Sequence, residues 1–237
     1  MKGIYHPADA RGSFQLDWLN SRHSFSFGHY YDPTKMNFGR LRVLNDDVVR
    51  PGMGFATHPH QNMEIVSIPL RGSLAHEDST GNKEVITTGE VQRMSAGTGI
   101  THSEFNPSHE NDVNFLQIWI LPEKQNIRPA YEQKQFSAAD RQGKWQLVIS
   151  PDGQNQSVSI NQQSYFSLVE LNNQQSVTYS MHRENHGVYF FNIFGRFEVQ
   201  SQQVVERDGY GYTGQSAVQL TAHLPGTEVL AIEVPMI

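Results

Sequence analysis

Two pairs of side chains in this sequence have the types and spacing needed to bind a metal ion. His58 and His60 form the first pair, and His102 and Glu104 form the second. Side chains alternate between the two faces of a β-strand, so the members of each pair point the same way if both segments are strands. Two such strands side by side would offer three imidazoles and one carboxylate. This donor set suits Fe(II), Mn(II), Ni(II), Cu(II) or Zn(II), and it lacks the thiolates of a closed structural zinc site.

The segment between the two pairs predicts the strands that must position them. Turn signals lie at 71–73, 79–82 and 88–90, between apolar runs at 65–70, 84–87 and 91–94. We therefore predict a β-meander with the His pair at its start and the His/Glu pair at its end. Gly97 and Gly99 precede the second pair. We expect them to bend the backbone sharply, with positive φ, where the second strand enters a barrel.

Composition restricts the classes of protein that this chain can represent. Its 237 residues can form one large β-domain or two of ordinary size, with Gly and aromatic residues spread throughout. The formal charge of −6 provides no basic surface, so we expect no direct binding to nucleic acid or to an anionic membrane. The absence of cysteine excludes disulfides and thiolate metal sites. No segment has the character of a signal core or a transmembrane span, which predicts a soluble, cytoplasmic protein.

The second half repeats the strand pattern without the metal-binding pattern. After a closing strand at 115–120, residues 123–143 are rich in Gln, Lys, Pro and Ala, which predicts a connector with a helical turn at 137–141. Further strands are predicted at 145–150, 158–160, 165–171, 188–194 and 228–234. Four groups of this half could bind a metal, namely His182, Glu184, His186 and His223. Their irregular spacing predicts no second metal site. We expect His23 and His29 to pack or to lie on the surface, because the ligand set is complete without them.

The same residues resemble the two motifs of the cupin superfamily. The first motif is matched by Gly52, His58, His60, Glu64 and Gly72, with one extra residue before the last glycine. The second is matched by Gly89, Gly97, Gly99, His102 and Asn106, with Gly97 where a proline is usual. Ordinary cupins place their carboxylate ligand at the position of Glu64. Glu64 lies an even number of residues from His58 and His60, so it would point to the same face of a strand. Spacing alone does not choose between Glu64 and Glu104.

A narrower resemblance is to the pirin family, and it runs through the whole amino-terminal half in the family's order. The matching stretches are FSFG at 25–28, LNDD at 44–47, HPH at 58–60, HEDS at 76–79 and MSAGTGITHSE at 94–104. The resemblance implies an all-β bicupin, with two tandem cupin β-barrels and a short helical connector. We predict a metal-binding pirin domain at 1–122, a connector at 123–144 and a cupin-like domain without a metal site at 145–237.

The resemblance also implies the ligands and the cofactor. Pirins bind one metal in the amino-terminal lobe, and the family's ligands fall on His58, His60, His102 and Glu104. Glu64 then becomes a supporting or structural carboxylate, and His76 a supporting or exposed group. The expected cofactor is one divalent transition metal, with Fe(II) preferred and Mn(II), Ni(II), Cu(II) or Zn(II) as alternatives. A four-ligand set leaves positions open on such an ion for substrate or O₂.

The resemblance leads to two hypotheses for function. Bacterial pirins resemble quercetin 2,3-dioxygenases, so the first is an oxidoreductase that opens the heterocyclic ring of a flavonol such as quercetin with O₂ and releases carbon monoxide. Glu104 is the catalytic residue in this hypothesis, as the base that takes the proton of the flavonol hydroxyl. The second is a non-catalytic, iron-dependent redox-sensing regulatory protein that acts through a protein partner. A monomer is the family-like expectation in both cases.

Overall fold

The computed structural model describes residues 3–236 and consists almost entirely of β-strands. Within this range the strands up to residue 135 are β1 (Ile4–His6), β2 (Gly12–Gln15), β3 (Leu19–His23), β4 (Leu41–Val49), β5 (Gly54–His60), β6 (Glu64–Arg71), β7 (Ser73–Asp78), β8 (Lys83–Thr87), β9 (Glu90–Ser95), β10 (Ile100–Phe105), β11 (Val113–Ile120) and β12 (Ala130–Gln135). The strands that follow are β13 (Gln146–Ser150), β14 (Val158–Ser159), β15 (Tyr165–Leu171), β16 (Ser176–Ser180), β17 (His186–Phe194), β18 (Arg196–Val199), β19 (Gln202–Val205), β20 (Gly209–Tyr212), β21 (Ala217–Ala222) and β22 (Thr227–Pro235). Short 3₁₀ turns lie at Ala8–Ala10, Ala138–Arg141 and Gln154–Gln156. The predicted all-β fold is confirmed, with a short helical turn before the second half.

None of the helical turns between residues 3 and 236 is long and apolar enough to cross a membrane.

The strands form two similar lobes, each made of one seven-stranded and one four-stranded sheet. In the first lobe the strand orders are β12-β9-β6-β11-β4-β3-β2 and β5-β10-β7-β8. In the second lobe they are β1-β20-β17-β22-β15-β13-β14 and β16-β21-β18-β19. Paired strands are antiparallel apart from β13 and β14, which are parallel. Two lobes of the same construction confirm the predicted bicupin architecture.

The strands between the two metal-binding pairs do not follow one another across a single sheet. β6 and β9 pair in the seven-stranded sheet, whereas β7 and β8 form a hairpin in the four-stranded sheet. The turns at Gly72 and Gly89 carry the chain from one sheet to the other and back. The predicted meander is therefore wrong in its strand order, because a local turn signal does not specify which sheet the next strand joins. β5 and β10, which carry the two pairs, are nevertheless direct neighbours.

The two seven-stranded sheets face each other, so their central strands are buried on both faces. β11 shows this in its alternation: Leu116, Ile118 and Ile120 belong to a core shared by both lobes, while Phe115 packs in a separate cluster within the first lobe. β17 alternates in the same way between the shared core and the interior of the second lobe. Burial on both faces explains why these segments are nearly continuous apolar runs.

The first strand of the chain pairs with the second lobe, and a strand in the predicted connector pairs with the first lobe. β1 pairs with β20 at the edge of the second lobe, and β12 pairs with β9 at the edge of the first. β12 was not predicted, because its residues are mostly polar and none is fully buried, as in many edge strands. The pairing of β1 with β20 joins the amino-terminal segment to the second lobe through backbone hydrogen bonds. The domain bounds at 1–122, 123–144 and 145–237 remain a prediction.

Candidate metal centre

β5 and β10 bring the three predicted histidines together. The strands are antiparallel, and His102 lies directly opposite His58. The ring centroids are 4.5 Å apart for His58 and His102 and 4.8 Å apart for His58 and His60. The distance between the rings of His60 and His102 is 4.9 Å. One nitrogen of each ring lies within 4.8 Å of the others, so the three imidazoles can converge on one ion.

Glu104 lies on the same strand, separated from His102 by a shift of register between β10 and β5. Its side chain is buried, and its two oxygens accept hydrogen bonds from Ser67 Oγ at 3.1 Å and Gln117 Nε2 at 2.8 Å. Burial raises the pKa of Glu104 to about 7. A carboxylate oxygen of Glu104 also lies within 4.8 Å of ring nitrogens of His76 and His102. Glu104 is therefore placed beside the imidazole cluster.

The nitrogen atoms of the cluster fit a divalent transition metal. His58 donates a hydrogen bond from Nδ1 to the carbonyl oxygen of Ala56 at 2.8 Å, which leaves its Nε2 as a lone-pair donor. His102 is 2% exposed, and its Nε2 has no hydrogen-bond partner within residues 3–236. A buried nitrogen left without a partner costs about 1–3 kcal/mol. A metal ion satisfies such a nitrogen, and imidazole and carboxylate are the donors it takes.

Burial keeps two of the imidazoles neutral, the form in which they bind metals. Burial lowers the pKa of His60 to about 4, and the neighbouring His58 adds to the effect. It lowers the pKa of His102 to about 2, with smaller contributions from the other rings of the cluster. The ring of Trp119 packs edge-on against His60, with centroids 5.0 Å apart. Neutral rings beside apolar surface are therefore ready to coordinate without first losing a proton.

The cluster borders an interior cavity of about 60 Å³. Its walls are His58, His60, His102 and Glu104 together with Phe27, Asn45, Asp47, Phe55, Gln117 and Trp119. A second and more open cavity, of about 600 Å³, is lined by Pro59, His60, Gln61, Ser79 and residues 98–101. His60 lines both cavities, so the two lie next to each other at this residue.

Gly97 and Gly99 shape the turn before β10. Their φ values are +50° and +139°, so the predicted positive φ is confirmed at both positions. A Cβ added to Gly97 would lie 2.1 Å from the carbonyl oxygen of Ile127. The close approach of this segment and the left-handed backbone both require glycine at position 97.

Glu64, the other carboxylate that the spacing allowed, makes its contacts elsewhere. It is 1% exposed and accepts hydrogen bonds from Ser95 Oγ at 2.7 Å and from the Asn161 backbone N–H at 3.2 Å. Asn161 belongs to the second half of the chain, so Glu64 contributes to the contact between the lobes. Glu64 joins none of the potential ligand groups in the described part of the chain. This geometry supports Glu104 as the ligand, and the assignment remains our proposal.

The remaining histidines of the first lobe lie in different environments. His76 is 1% exposed, and its ring centroid is 5.3 Å from that of His102, so it is a buried neighbour of the cluster. His23 is also buried, and its Nε2 is hydrogen-bonded to Ser21 Oγ at 2.8 Å. His29 is exposed. Among residues 3–236, neither His23 nor His29 belongs to a group of potential ligands.

Two histidines of the second lobe meet at a carboxylate that the sequence did not single out. His182 and His186 each donate from Nδ1 to Glu233, at 2.9 Å and 3.0 Å. Glu184 is exposed, and His223 lies apart from this group, 3.9 Å from a different carboxylate. Glu233 could have been found from its position in the apolar run at 228–234, because a lone carboxylate inside a buried strand needs polar partners.

Polar residues on the walls of the interior cavity were also missed. Asn45 and Asp47 lie on β4, and Gln117 lies on β11. Asp47 accepts a hydrogen bond from Ser21 Oγ, and burial raises its pKa to about 7. The available signal was the same as for Glu233: polar side chains inside a largely apolar strand need polar partners.

Two family models cover most of the chain. Residues 6–120 match the model described as Pirin, and residues 147–234 match the model described as Quercetinase C-terminal cupin domain. The chain belongs to the pirin family. This pirin is 42% identical over 229 residues to a quercetin 2,3-dioxygenase of Escherichia coli (strain K12), with 96% of each chain covered. It is 35% identical over 228 residues to a pirin-like protein of Caulobacter vibrioides, covering 96% of this chain and 97% of that protein.

A solved structure gives the same result. The bacterial pirin YhhW of Escherichia coli in complex with nickel(II) is similar to this pirin with a TM-score of 0.94 and 38% sequence identity, over 100% of both chains. The predicted family is therefore confirmed by sequence and by structure. The nickel(II) ion is a property of that complex.

Proposed function

We propose that this pirin is a metal-dependent dioxygenase that opens the heterocyclic ring of a flavonol such as quercetin with O₂ and releases carbon monoxide. The observation that carries the proposal is the convergence of three imidazoles on one cavity, where the buried Nε2 of His102 lacks a partner among residues 3–236. The relative from strain K12, which is named quercetin 2,3-dioxygenase, supports the same reaction. The fold alone would not, since one fold serves many functions.

We assign four residues to the metal, namely His58, His60, His102 and Glu104. A divalent ion bound there would supply positive charge that stabilises a flavonol oxyanion and, if redox-active, electron transfer for O₂ chemistry. Such a donor set accepts several first-row ions, so availability contributes to the choice. Fe(II) is the ion we favour, and the nickel(II) complex of YhhW is a reason to test Ni(II) beside it.

Glu104 is the residue that we propose to accept the proton of the flavonol 3-hydroxyl. Hydrogen bonds from Ser67 and Gln117 fix its carboxylate at the wall of the interior cavity. A positioned carboxylate within reach of the hydroxyl is the requirement for general-base catalysis. Asp47 is the other carboxylate on this cavity, and it takes the role of base if Glu104 remains a ligand throughout.

The two cavities suggest how a flavonol reaches the site. The interior cavity of about 60 Å³ is well below the roughly 300–1,000 Å³ of pockets that hold drug-sized ligands. The open cavity of about 600 Å³ falls in that range and shares His60 with the interior. We propose that the flavonol lies mainly in the open cavity and presents its reacting edge past His60. Phe27, Phe55 and Trp119 then limit the access of water to that edge.

The small interior cavity also favours a second candidate function. A space of about 60 Å³ accepts a small ligand beside the ion, but it holds no flavonol unless the walls move. A regulatory protein that senses the redox state of bound iron needs no larger space. The net charge of −6 favours recognition of a protein partner over direct recognition of nucleic acid. A difference in partner affinity between the Fe(II) and Fe(III) forms would support this candidate.

The deciding experiment is oxygen uptake with quercetin. The protein is stripped of metal and reloaded separately with Fe(II), Mn(II), Ni(II), Cu(II) or Zn(II), and carbon monoxide is measured in the same vessel. We expect uptake and carbon monoxide with one or more redox-active ions, and neither with His58→Ala. Stoichiometric metal without oxygen uptake for any ion would reject the dioxygenase and favour the redox sensor. Uptake without carbon monoxide would reject the proposed ring opening.

A further inference from the structure

His76 and Asp78 on β7 lie behind the ligand strand β10. β7 and β10 are antiparallel neighbours, with His76 opposite Glu104 and Asp78 opposite His102. The side chains of His76 and Asp78 are fully buried. The Nδ1 atoms of His76 and His102 are 3.5 Å apart, so the two nitrogens of His102 have different surroundings. Nδ1 of His102 contacts His76, whereas its Nε2 is the buried nitrogen that lacks a partner within residues 3–236.

Asp78 is held as a carboxylate by several donors. Thr80 donates from its backbone N–H at 2.8 Å and from Oγ1 at 2.7 Å, and Asn82 donates from Nδ2 at 2.9 Å. The Asn82 backbone N–H donates at 3.3 Å, and His76 Nε2 donates at 3.1 Å. Burial by itself would raise the pKa of Asp78, but these hydrogen bonds outweigh it and hold the pKa below its usual range. An ionised carboxylate only accepts hydrogen bonds.

The direction of each hydrogen bond in this group follows from the carboxylate. His76 must carry its hydrogen on Nε2 to donate to Asp78, and Nδ1 of the neutral ring is then an acceptor. The partner of that acceptor is Nδ1 of His102, which therefore carries the hydrogen of its own ring. We propose that Asp78 and His76 are positioning residues that fix the ring of His102 and leave its Nε2 lone pair facing the metal.

The proposal deepens the proposed function and rests on the metal site assigned above. Histidine ligands commonly donate their second N–H to a carboxylate or a backbone carbonyl, which fixes the tautomer and the ring orientation. His58 follows this rule with the carbonyl of Ala56. For His102 the carboxylate acts through an additional imidazole. His58 and His102 are thus oriented by different means, and of these two only His102 is held by side chains that can be replaced.

The test measures metal affinity without flavonol or O₂ turnover. Metal-free protein is titrated with Ni(II) against a competing chelator under anaerobic conditions, for wild type, His76→Phe and His76→Asn. His76→Phe keeps a ring but removes the acceptor, so we expect affinity to fall about 10- to 100-fold. His76→Asn keeps an acceptor oxygen near the position of Nδ1, so a smaller loss is expected. His186→Phe, which removes a carboxylate-bound imidazole from the second lobe, is the matched control and should leave affinity unchanged.

A second measurement reads the tautomer directly and does not depend on a variant that folds. Long-range ¹⁵N–¹H correlation spectra of the metal-free wild-type protein should place the hydrogen of His102 on Nδ1. A hydrogen on Nε2, or unchanged nickel affinity in a folded His76→Phe protein, would overturn the proposal. Loss of nickel from both His76 variants, to the extent seen for His102→Ala, would make His76 a ligand and also overturn it. Failure of quercetin turnover with normal nickel binding would reject only the dioxygenase function.

Discussion

Both lobes place imidazoles beside a buried carboxylate, but among residues 3–236 the groups of side chains that could hold a metal lie in the first lobe. In the second lobe, Glu233 takes the hydrogen bonds of the imidazoles itself: it accepts from Nδ1 of His182 and of His186. The hydroxyl of Tyr179 and the backbone N–H of Arg183 donate to it as well, at 3.0 Å and 3.1 Å. These donors occupy both oxygens of the carboxylate, and they hold the segment 181–186 against β22. The group is consistent with a structural role.

In the first lobe, the carboxylate and the imidazoles have separate partners. Glu104 is held by Ser67 and Gln117, and none of its hydrogen bonds comes from an imidazole of the described chain. His58 is oriented by a backbone carbonyl, and Nε2 of His102 has no hydrogen-bond partner among residues 3–236. The nitrogen lone pairs of these imidazoles therefore remain available to a common metal ion, because they are not used in hydrogen bonds within residues 3–236. The chemistry of a lobe depends on which partner each imidazole nitrogen has, more than on the number of histidines.

The interiors of the two lobes also differ in polarity. In the second lobe, Trp145, Tyr179 and Phe190 pack ring against ring, with centroids 5.1 Å and 5.8 Å apart along this series. Phe197 continues the series at 6.4 Å. The first lobe has Asn45, Asp47 and Gln117 on its inward-facing positions and retains a cavity. Similar strand orders thus enclose a packed aromatic core in one lobe and a polar site in the other.

The largest expected effect is the loss of metal when one imidazole of the first lobe is removed. His102→Ala and His58→Ala each delete a proposed ligand, so tight binding should be abolished, beyond the roughly 100-fold loss that a supporting residue causes. Metal content after dialysis, measured by mass spectrometry, checks this. His109→Ala removes an exposed imidazole and is the control. Stoichiometric metal in either ligand variant would contradict the assignment of the metal site to the first lobe.

Glu64 and Glu104, the two carboxylates that the spacing allowed as ligands, should differ in their effect on metal binding. Glu104→Gln should weaken metal affinity and suppress turnover, because a proposed ligand and base is lost. Glu64→Gln should retain the metal and lower the free energy of unfolding by about 1–3 kcal/mol, because its hydrogen bonds to Ser95 and Asn161 are weakened. Metal titration and urea unfolding measure the two effects. Greater metal loss in Glu64→Gln than in Glu104→Gln would show that the assigned carboxylate is wrong.

The second lobe should show its structural role in the dependence of stability on pH. Burial would raise the pKa of Glu233, but hydrogen bonds from His182 and His186 outweigh it and lower the pKa to about 2, from a usual value of 4.5. A carboxyl with a depressed pKa stabilises the fold above its unfolded pKa, and this contribution is lost as pH falls from about 4.5 towards 2. Glu233→Gln should therefore cost about 2–4 kcal/mol at pH 7 and progressively less below pH 4.5.

Urea unfolding of the metal-free protein at a series of pH values measures this difference. Glu184→Gln, at an exposed carboxylate of the same loop, is the matched control and should change stability little at any pH. A cost of Glu233→Gln that stays constant between pH 7 and pH 2.5 would contradict the role assigned to the ionised carboxylate.

The smallest expected effect is that of His182→Ala. The variant loses one hydrogen bond to Glu233 and the stacking of the His182 ring on Tyr165, whose centroids are 4.1 Å apart. We expect a loss of about 1 kcal/mol in the free energy of unfolding, because the side chain is partly exposed. Metal content should be unchanged. A fall in metal content would show that the second lobe contributes to the site.

Local patterns in the sequence predicted the elements that carry the site. Alternation placed His58 and His60 on one face of a strand, and the glycines at 97 and 99 predicted the sharp turn before His102. The same patterns failed for β12 and for the strand order between β6 and β9. An edge strand can be polar because its pairing uses backbone groups, and turn residues specify a reversal without specifying a sheet.

The sequence by itself determined the family, the all-β class and the residue types available for a metal, because these depend on local spacing and matched motifs. Tertiary structure decided the partners of those residues. It placed Glu64 against the second lobe, Glu104 on the cavity and His76 between Asp78 and His102. It also joined His182 and His186 to Glu233. The physical reason is that a hydrogen bond or a ligand position depends on which strands become neighbours, and strand pairing joins residues that are distant along the chain.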